Sequence, residues 1–148
     1  MLNHAIVEQR LELFRERCAA AGLAVTHQRQ VIYRELAATA EHPTPEAIYE
    51  RVRESIPEIS LATVYKNIKI FTEAGLLREV SLLHDSQRLD ANLQPHHHLI
   101  CVQCKSVADL PTDALEPVRP AGRLPNDFSA ERFSVDVLGY CSRCARDR

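Results

Sequence analysis

Apolar positions in the first half of the chain recur at helical spacing. Val7, Leu11, Phe14 and Cys18 fall on one face of a first helix, and Gly22 is a stop for it. Thr26 caps a second helix, with Val31, Ile32 and Leu36 inward. Thr44 and Pro45 form a cap and first-position pair for a third, with Ile48 and Val52 facing the core. Ser60 caps a fourth, whose inward stripe is Leu61, Val64, Ile68 and Phe71 and which Gly75 ends. Segments 76–80 and 87–90 read as two short strands around the turn-prone His84, Asp85 and Ser86. Short helices followed by a hairpin predict a winged helix.

Near residue 85 the pattern changes. Pro, Asp and Cys become frequent and the apolar runs shorten. Segments 97–102, 106–110 and 133–138 are strand candidates for a small second domain, so the whole chain reads as α+β. Pro111, Pro117, Pro120 and Pro125 keep any helix between them short.

Composition and charge narrow the class. With 45% hydrophobic and 26% charged residues, the chain has the balance of a soluble globular protein. No apolar run approaches the roughly 20 residues of a membrane span. The first helix carries Glu8, Arg10, Glu12, Arg15, Glu16 and Arg17, unlike a signal peptide. The expectation is a cytoplasmic location with reduced thiols. The net charge is −2, and residues 1–80 hold ten Lys/Arg against eleven Asp/Glu. Global charge therefore argues mildly against nucleic acid, and DNA binding would need a local basic patch, doubled by dimerisation.

The strongest chemical signal is a pair of C-x-x-C motifs, Cys101 with Cys104 and Cys141 with Cys144. Two thiolates so spaced can bite one ion from a tight turn, and two such turns complete a tetrahedron. Zinc suits four sulfurs, being borderline-soft and redox-inert. The alternatives are two disulfides, which the expected compartment disfavours, or four unconnected thiols, which the spacing disfavours. Residues 105–140 separate the pairs, more than a zinc ribbon needs, so a subdomain must lie between them. Cys18, on the apolar face of the first helix, reads as a small buried hydrophobe.

His96, His97 and His98 precede the first pair. In a strand His96 and His98 share a face and His97 points away, which makes a half-site for a divalent metal; the alternative is a solvated strand end. Asp90, Asp109 and His42 are further donors, each weak alone. Three imidazoles and two carboxylates would suit Fe(II), Mn(II) or Zn(II). From Ser60 to Thr72 there is no acidic residue. Lys66 and Lys69 are one turn apart, as phosphate contacts could be. Thr63, Tyr65, Lys66 and Asn67 lie off the apolar stripe; Thr and Tyr can meet thymine methyls and Asn can read adenine. A solvated helix face is the alternative.

These residues resemble the ferric uptake regulator (Fur) family of bacterial repressors. The carrying segments are 22–29 (GLAVTHQR), 42–49 (HPTPEAIY), 60–67 (SLATVYKN), 73–79 (EAGLLRE), 96–104 (HHHLICVQC) and 141–144 (CSRC). They run in family order over nearly the whole chain. The resemblance implies a winged-helix DNA-binding domain at 1–85, a hinge at 86–94, and a dimerisation and metal-binding domain of small α/β type at 95–148. It also implies a homodimer bound to an inverted-repeat operator in double-stranded DNA, with a structural Zn(2+) and a regulatory Fe(2+) or Mn(2+). Within the family the chain looks most like the peroxide-sensing repressor (PerR) branch. That likeness assigns the regulatory metal to His42, Asp90, His96, His98 and Asp109. Asp90 is the informative match, because the iron-sensing branch commonly has Glu there; Asn67 also matches the peroxide branch.

Four positions depart from the family pattern: His27 for a Pro, Lys105 for a Gly, and Phe133 and Pro95 for His residues. The last two losses argue against a third metal site. The expected mechanism is an inter-domain hinge locked by the regulatory metal and released by iron-catalysed oxidation of His42 or His96. A regulator of iron or manganese uptake without peroxide chemistry is the nearest alternative. A hydrolytic metalloenzyme lacks a candidate nucleophile, so no enzyme is expected, and a zinc-stabilised interaction module would not bind DNA.

Overall fold

The computed structural model describes residues 1–80 and 87–148. The turn expected at His84, Asp85 and Ser86 lies outside the described residues. The chain divides into two units, Met1–Leu93 and Gln94–Arg148.

The first unit holds α1 (His4–Ala20), α2 (His27–Ala38), α3 (Pro45–Val52), α4 (Leu61–Glu73), β1 (Arg78–Val80) and β2 (Arg88–Asp90). Each helix starts on a polar side chain that accepts the amide three residues on: Asn3 from Ile6, Thr26 from Arg29, Thr44 from Ala47 and Ser60 from Thr63. These bonds satisfy amides that the first turn leaves without helical partners. The apolar stripes converge on an aromatic triad. Phe14 stacks on Tyr33 at 4.7 Å, and Phe71 meets both edge-on at 5.6 and 5.4 Å. Tyr33 was not among the expected core residues; its hydroxyl donates to the Leu76 carbonyl at 3.1 Å, which removes the objection to burying it. Cys18 is fully buried in this core.

Gly22 and Gly75 end α1 and α4 with φ of +67° and +74°. At Gly75 a Cβ would also displace the Arg17 guanidinium, which lies 2.5 Å from where it would sit. Arg17 donates to the Gly75 carbonyl at 2.9 Å and so ties α1 to the end of α4. β1 and β2 pair antiparallel, Arg78 opposite Asp90. β2 thus lies within the stretch read from sequence as hinge.

The second unit is a three-stranded sheet in the order β4-β3-β5, from β3 (His97–Cys101), β4 (Val107–Leu110) and β5 (Asp136–Gly139), followed by the short α5 (Ser142–Arg146). β4 runs antiparallel to β3 and β5 parallel to it. The parallel pairing requires a long crossover. The proline-rich segment supplies it with only two 3-10 turns, Thr112–Ala114 and Pro125–Asp127.

Candidate metal centres and nucleic-acid interface

The second unit brings the four paired cysteines together. Cys101 ends β3, Cys104 lies in the turn toward β4, and Cys141 and Cys144 flank and occupy α5. Their four Sγ atoms lie within 4.8 Å of one another, with Cys104 and Cys141 3.8 Å apart. None of the cysteines is in a disulfide. A tetrahedron with metal–sulfur bonds of about 2.3 Å has edges of about 3.8 Å, so the cluster fits a thiolate metal site. The electrostatics agree. The Ser106 hydroxyl, 3.2 Å from Cys104 Sγ, and the Ser106 amide lower the Cys104 thiol to about 5. Burial and the neighbouring sulfurs push Cys144 up to about 12. Backbone hydrogen bonds from Cys104 and Cys141 lower the Cys101 thiol as well, so two thiols ionise readily while Cys144 resists charge beside them, an arrangement a divalent cation would relieve.

Lys105 closes this turn. Its φ is +63°, a conformation that glycine adopts without strain, and its amide donates to the Cys101 carbonyl at 2.9 Å. The lysine ammonium turns back onto the Val102 carbonyl.

The histidines and aspartates form one group in each unit. In the first unit, His42 and Asp90 are 3% and 4% exposed. The His42 Nδ1 lies 3.8 Å from Asp90 Oδ2, while Asp90 Oδ1 accepts the Asn92 amide at 2.8 Å. Arg88 donates to the His42 carbonyl at 3.0 Å and Leu89 to the Pro43 carbonyl at 3.0 Å, so β2 itself holds the loop that carries His42.

In the second unit, His96 and His98 do face together, with their Nε2 atoms 3.1 Å apart. Asp109 Oδ1 lies 3.5 and 3.7 Å from them. His97 turns the other way, its Nδ1 accepting the Val135 amide at 3.1 Å. Two imidazole nitrogens aimed at each other beside a carboxylate are suitable donors for one divalent ion. Sequence reasoning missed Asp136. The β3–β5 register sets it opposite His98 on the side away from Asp109, with Oδ1 3.9 Å from His98 Nδ1. Only the long-range parallel pairing reveals it.

On α4, Tyr65, Lys66 and Lys69 are exposed and Thr63 is half-buried. Asn67 corrects an expectation: it is 6% exposed and does not face outward as a base reader would. Its Oδ1 accepts from Arg29 Nε at 3.1 Å and its Nδ2 donates to the Thr63 carbonyl at 2.9 Å. The apolar stripe broadens at this turn, and the amide replaces a hydrocarbon in it. Glu46 of α3 was also missed; it accepts the Tyr65 hydroxyl, a bond that lowers the carboxyl and raises the phenol.

The family model for the ferric uptake regulator family matches residues 20–136. The peroxide-responsive repressor PerR of Staphylococcus aureus is 32% identical over 138 residues, 93% of each chain. The solved structure of the Helicobacter pylori ferric uptake regulator Fur covers 98% of this chain and 97% of its own, with TM-score 0.73 and 18% identity, a likeness of fold. The Campylobacter jejuni peroxide stress regulator is 26% identical, with TM-score 0.64, over 90% of this chain and 98% of its own.

Proposed function

The chain belongs to the ferric uptake regulator family and is a metal-dependent DNA-binding regulator, and from that premise we propose that it is a repressor released by peroxide through a ferrous site. The observation that carries this reading is Asp90, buried beside His42 with one carboxylate oxygen fixed by the backbone and the other turned to the imidazole. His42 and Asp90 offer two donors, and His96, His98 and Asp109 offer three. Neither set alone fills the shell of a first-row divalent ion, so we assign both to one regulatory Fe(2+) or Mn(2+). Asp136 orients His98 from behind, as outer carboxylates do for metal-bound imidazoles. Cys101, Cys104, Cys141 and Cys144 hold a structural Zn(2+) that fastens α5 to the end of β3.

A ferrous ion held by these residues would supply redox activation of hydrogen peroxide beside the imidazoles, with peroxide as the two-electron oxidant. One peroxide oxygen would end on the ring of His42 or His96 and the other leave as water, and the oxidised imidazole would lose donor strength. With a donor gone, the constraint between the two units is lost. The DNA contacts come from Thr63, Tyr65, Lys66 and Lys69 of α4, laid in a major groove. Support for a homodimer on an inverted repeat comes from the second unit's sheet, which leaves Leu99, Val137, Leu138 and Tyr140 exposed.

The test is fluorescence anisotropy of a duplex enriched from a random-sequence pool by the manganese-loaded protein. Binding should rise with Mn(II) or Fe(II) and collapse on chelation, and only the iron form should be released by peroxide. Release from neither form would point to plain iron or manganese response. Binding that ignores metal would contradict the coupling.

A further inference from the structure

We propose that Arg29 is a DNA phosphate contact set beside the recognition helix, and that Asn67 is the residue that positions it. The proposal rests on the DNA-binding reading of α4. Arg29 sits in the first turn of α2, where its own amide is taken by the Thr26 cap. Its Nε donates to Asn67 Oδ1 at 3.1 Å and its Nη1 to the Ala24 carbonyl at 2.8 Å. The Asn67 amide cannot turn over without breaking its own bond to the Thr63 carbonyl, so the acceptor facing Arg29 is fixed. The guanidinium is therefore held on two sides.

A guanidinium carries five N–H donors. Two are engaged, and the remaining edge includes both Nη2 hydrogens. Among the described residues no carboxylate pairs with Arg29, and α4 beside it has no acidic residue from Ser60 to Thr72. In a chain of net charge −2 this is a cation left uncompensated and already immobilised. The three donors left over can meet phosphate oxygens, and holding the group in place beforehand lowers the ordering cost at binding. Asn67, which the outward-facing expectation made a base reader, acts instead through Arg29. The competing account is that the pair merely bridges α2 and α4.

Salt dependence separates the two. Each phosphate contact adds about 0.9 to the slope of log affinity against log salt. Affinity of the manganese-loaded full chain is measured between about 50 and 200 mM salt on the pool-selected duplex and on an unrelated duplex. Arg29→Gln should weaken both about equally and reduce the slope by about 0.9 per protomer. Asn67→Ala and Arg29→Lys keep the cation but lose its fixed aim, so affinity should fall several-fold at near wild-type slope. A wild-type slope in folded Arg29→Gln would overturn the proposal and leave the pair as a bridge. Should Arg29→Gln fail to fold by circular dichroism, wild-type affinity in Asn67→Ala and Arg29→Lys would overturn it equally. A wild-type chain that binds neither duplex would overturn the DNA-binding reading itself.

Discussion

Lys105 shows how far a single residue can be read. The turn after Cys104 requires a positive φ, and a lysine there bears strain that glycine would not. Lys105→Gly should therefore stabilise the zinc-loaded protein by ~1 kcal/mol, seen as a higher midpoint in thermal unfolding. Asp90 carries a functional prediction. Asp90→Glu lengthens a side chain whose surroundings are closed, and it should keep metal binding while blunting the peroxide response. An unchanged response would remove Asp90 as the discriminating residue. The donors were legible in the sequence because spacing and strand alternation are local rules: they brought Cys101 to Cys104 and His96 to His98. Asn67, Asp136 and Arg29 were not, since their partners lie on other elements.

Among the elements, the four helices of the first unit were visible because each has an apolar stripe and three of them a recognisable cap, Thr26, Thr44 and Ser60; the Asn3 cap of α1 emerged only in the structure. The five-residue α5 has neither a side-chain cap nor a stripe long enough to recognise, and the sequence reading passed over it. The parallel pairing of β3 with β5 was equally invisible, because the proline-rich crossover between them has almost no regular structure. The link from α1 to α4 gives the sharpest mechanical prediction. Gly75→Ala places a Cβ against Arg17 at positive φ and should cost about 1–2 kcal/mol, whereas Arg17→Ala in the same background should not add fully. A double-mutant cycle in urea measures this. In the cysteine cluster, the metal-free protein should be alkylated first at Cys104 when the pH lies between about 5 and about 12, because its thiol is already ionised there while Cys144 stays protonated. Peptide mapping after brief iodoacetamide treatment checks the order, and zinc should abolish it.

At the scale of the molecule, the account gives the two kinds of metal site different duties. Replacing Cys141 with Ser should release zinc and cost dimerisation, read by metal analysis and sedimentation. Replacing His42 with Ala should leave zinc content and dimerisation intact and lose the metal dependence of DNA binding, because metal and DNA are linked through one equilibrium. Among the described residues no helix is long and apolar enough to cross a bilayer. The central claim is that peroxide acts on the histidines of a ferrous site. The direct measurement is peptide mass spectrometry of the iron-loaded protein after a brief stoichiometric exposure to hydrogen peroxide, with the manganese-loaded protein as control. The account predicts a gain of one oxygen on the peptides bearing His42 or His96 in the iron form alone; oxygen confined to cysteine and methionine, or equal in both forms, would contradict it.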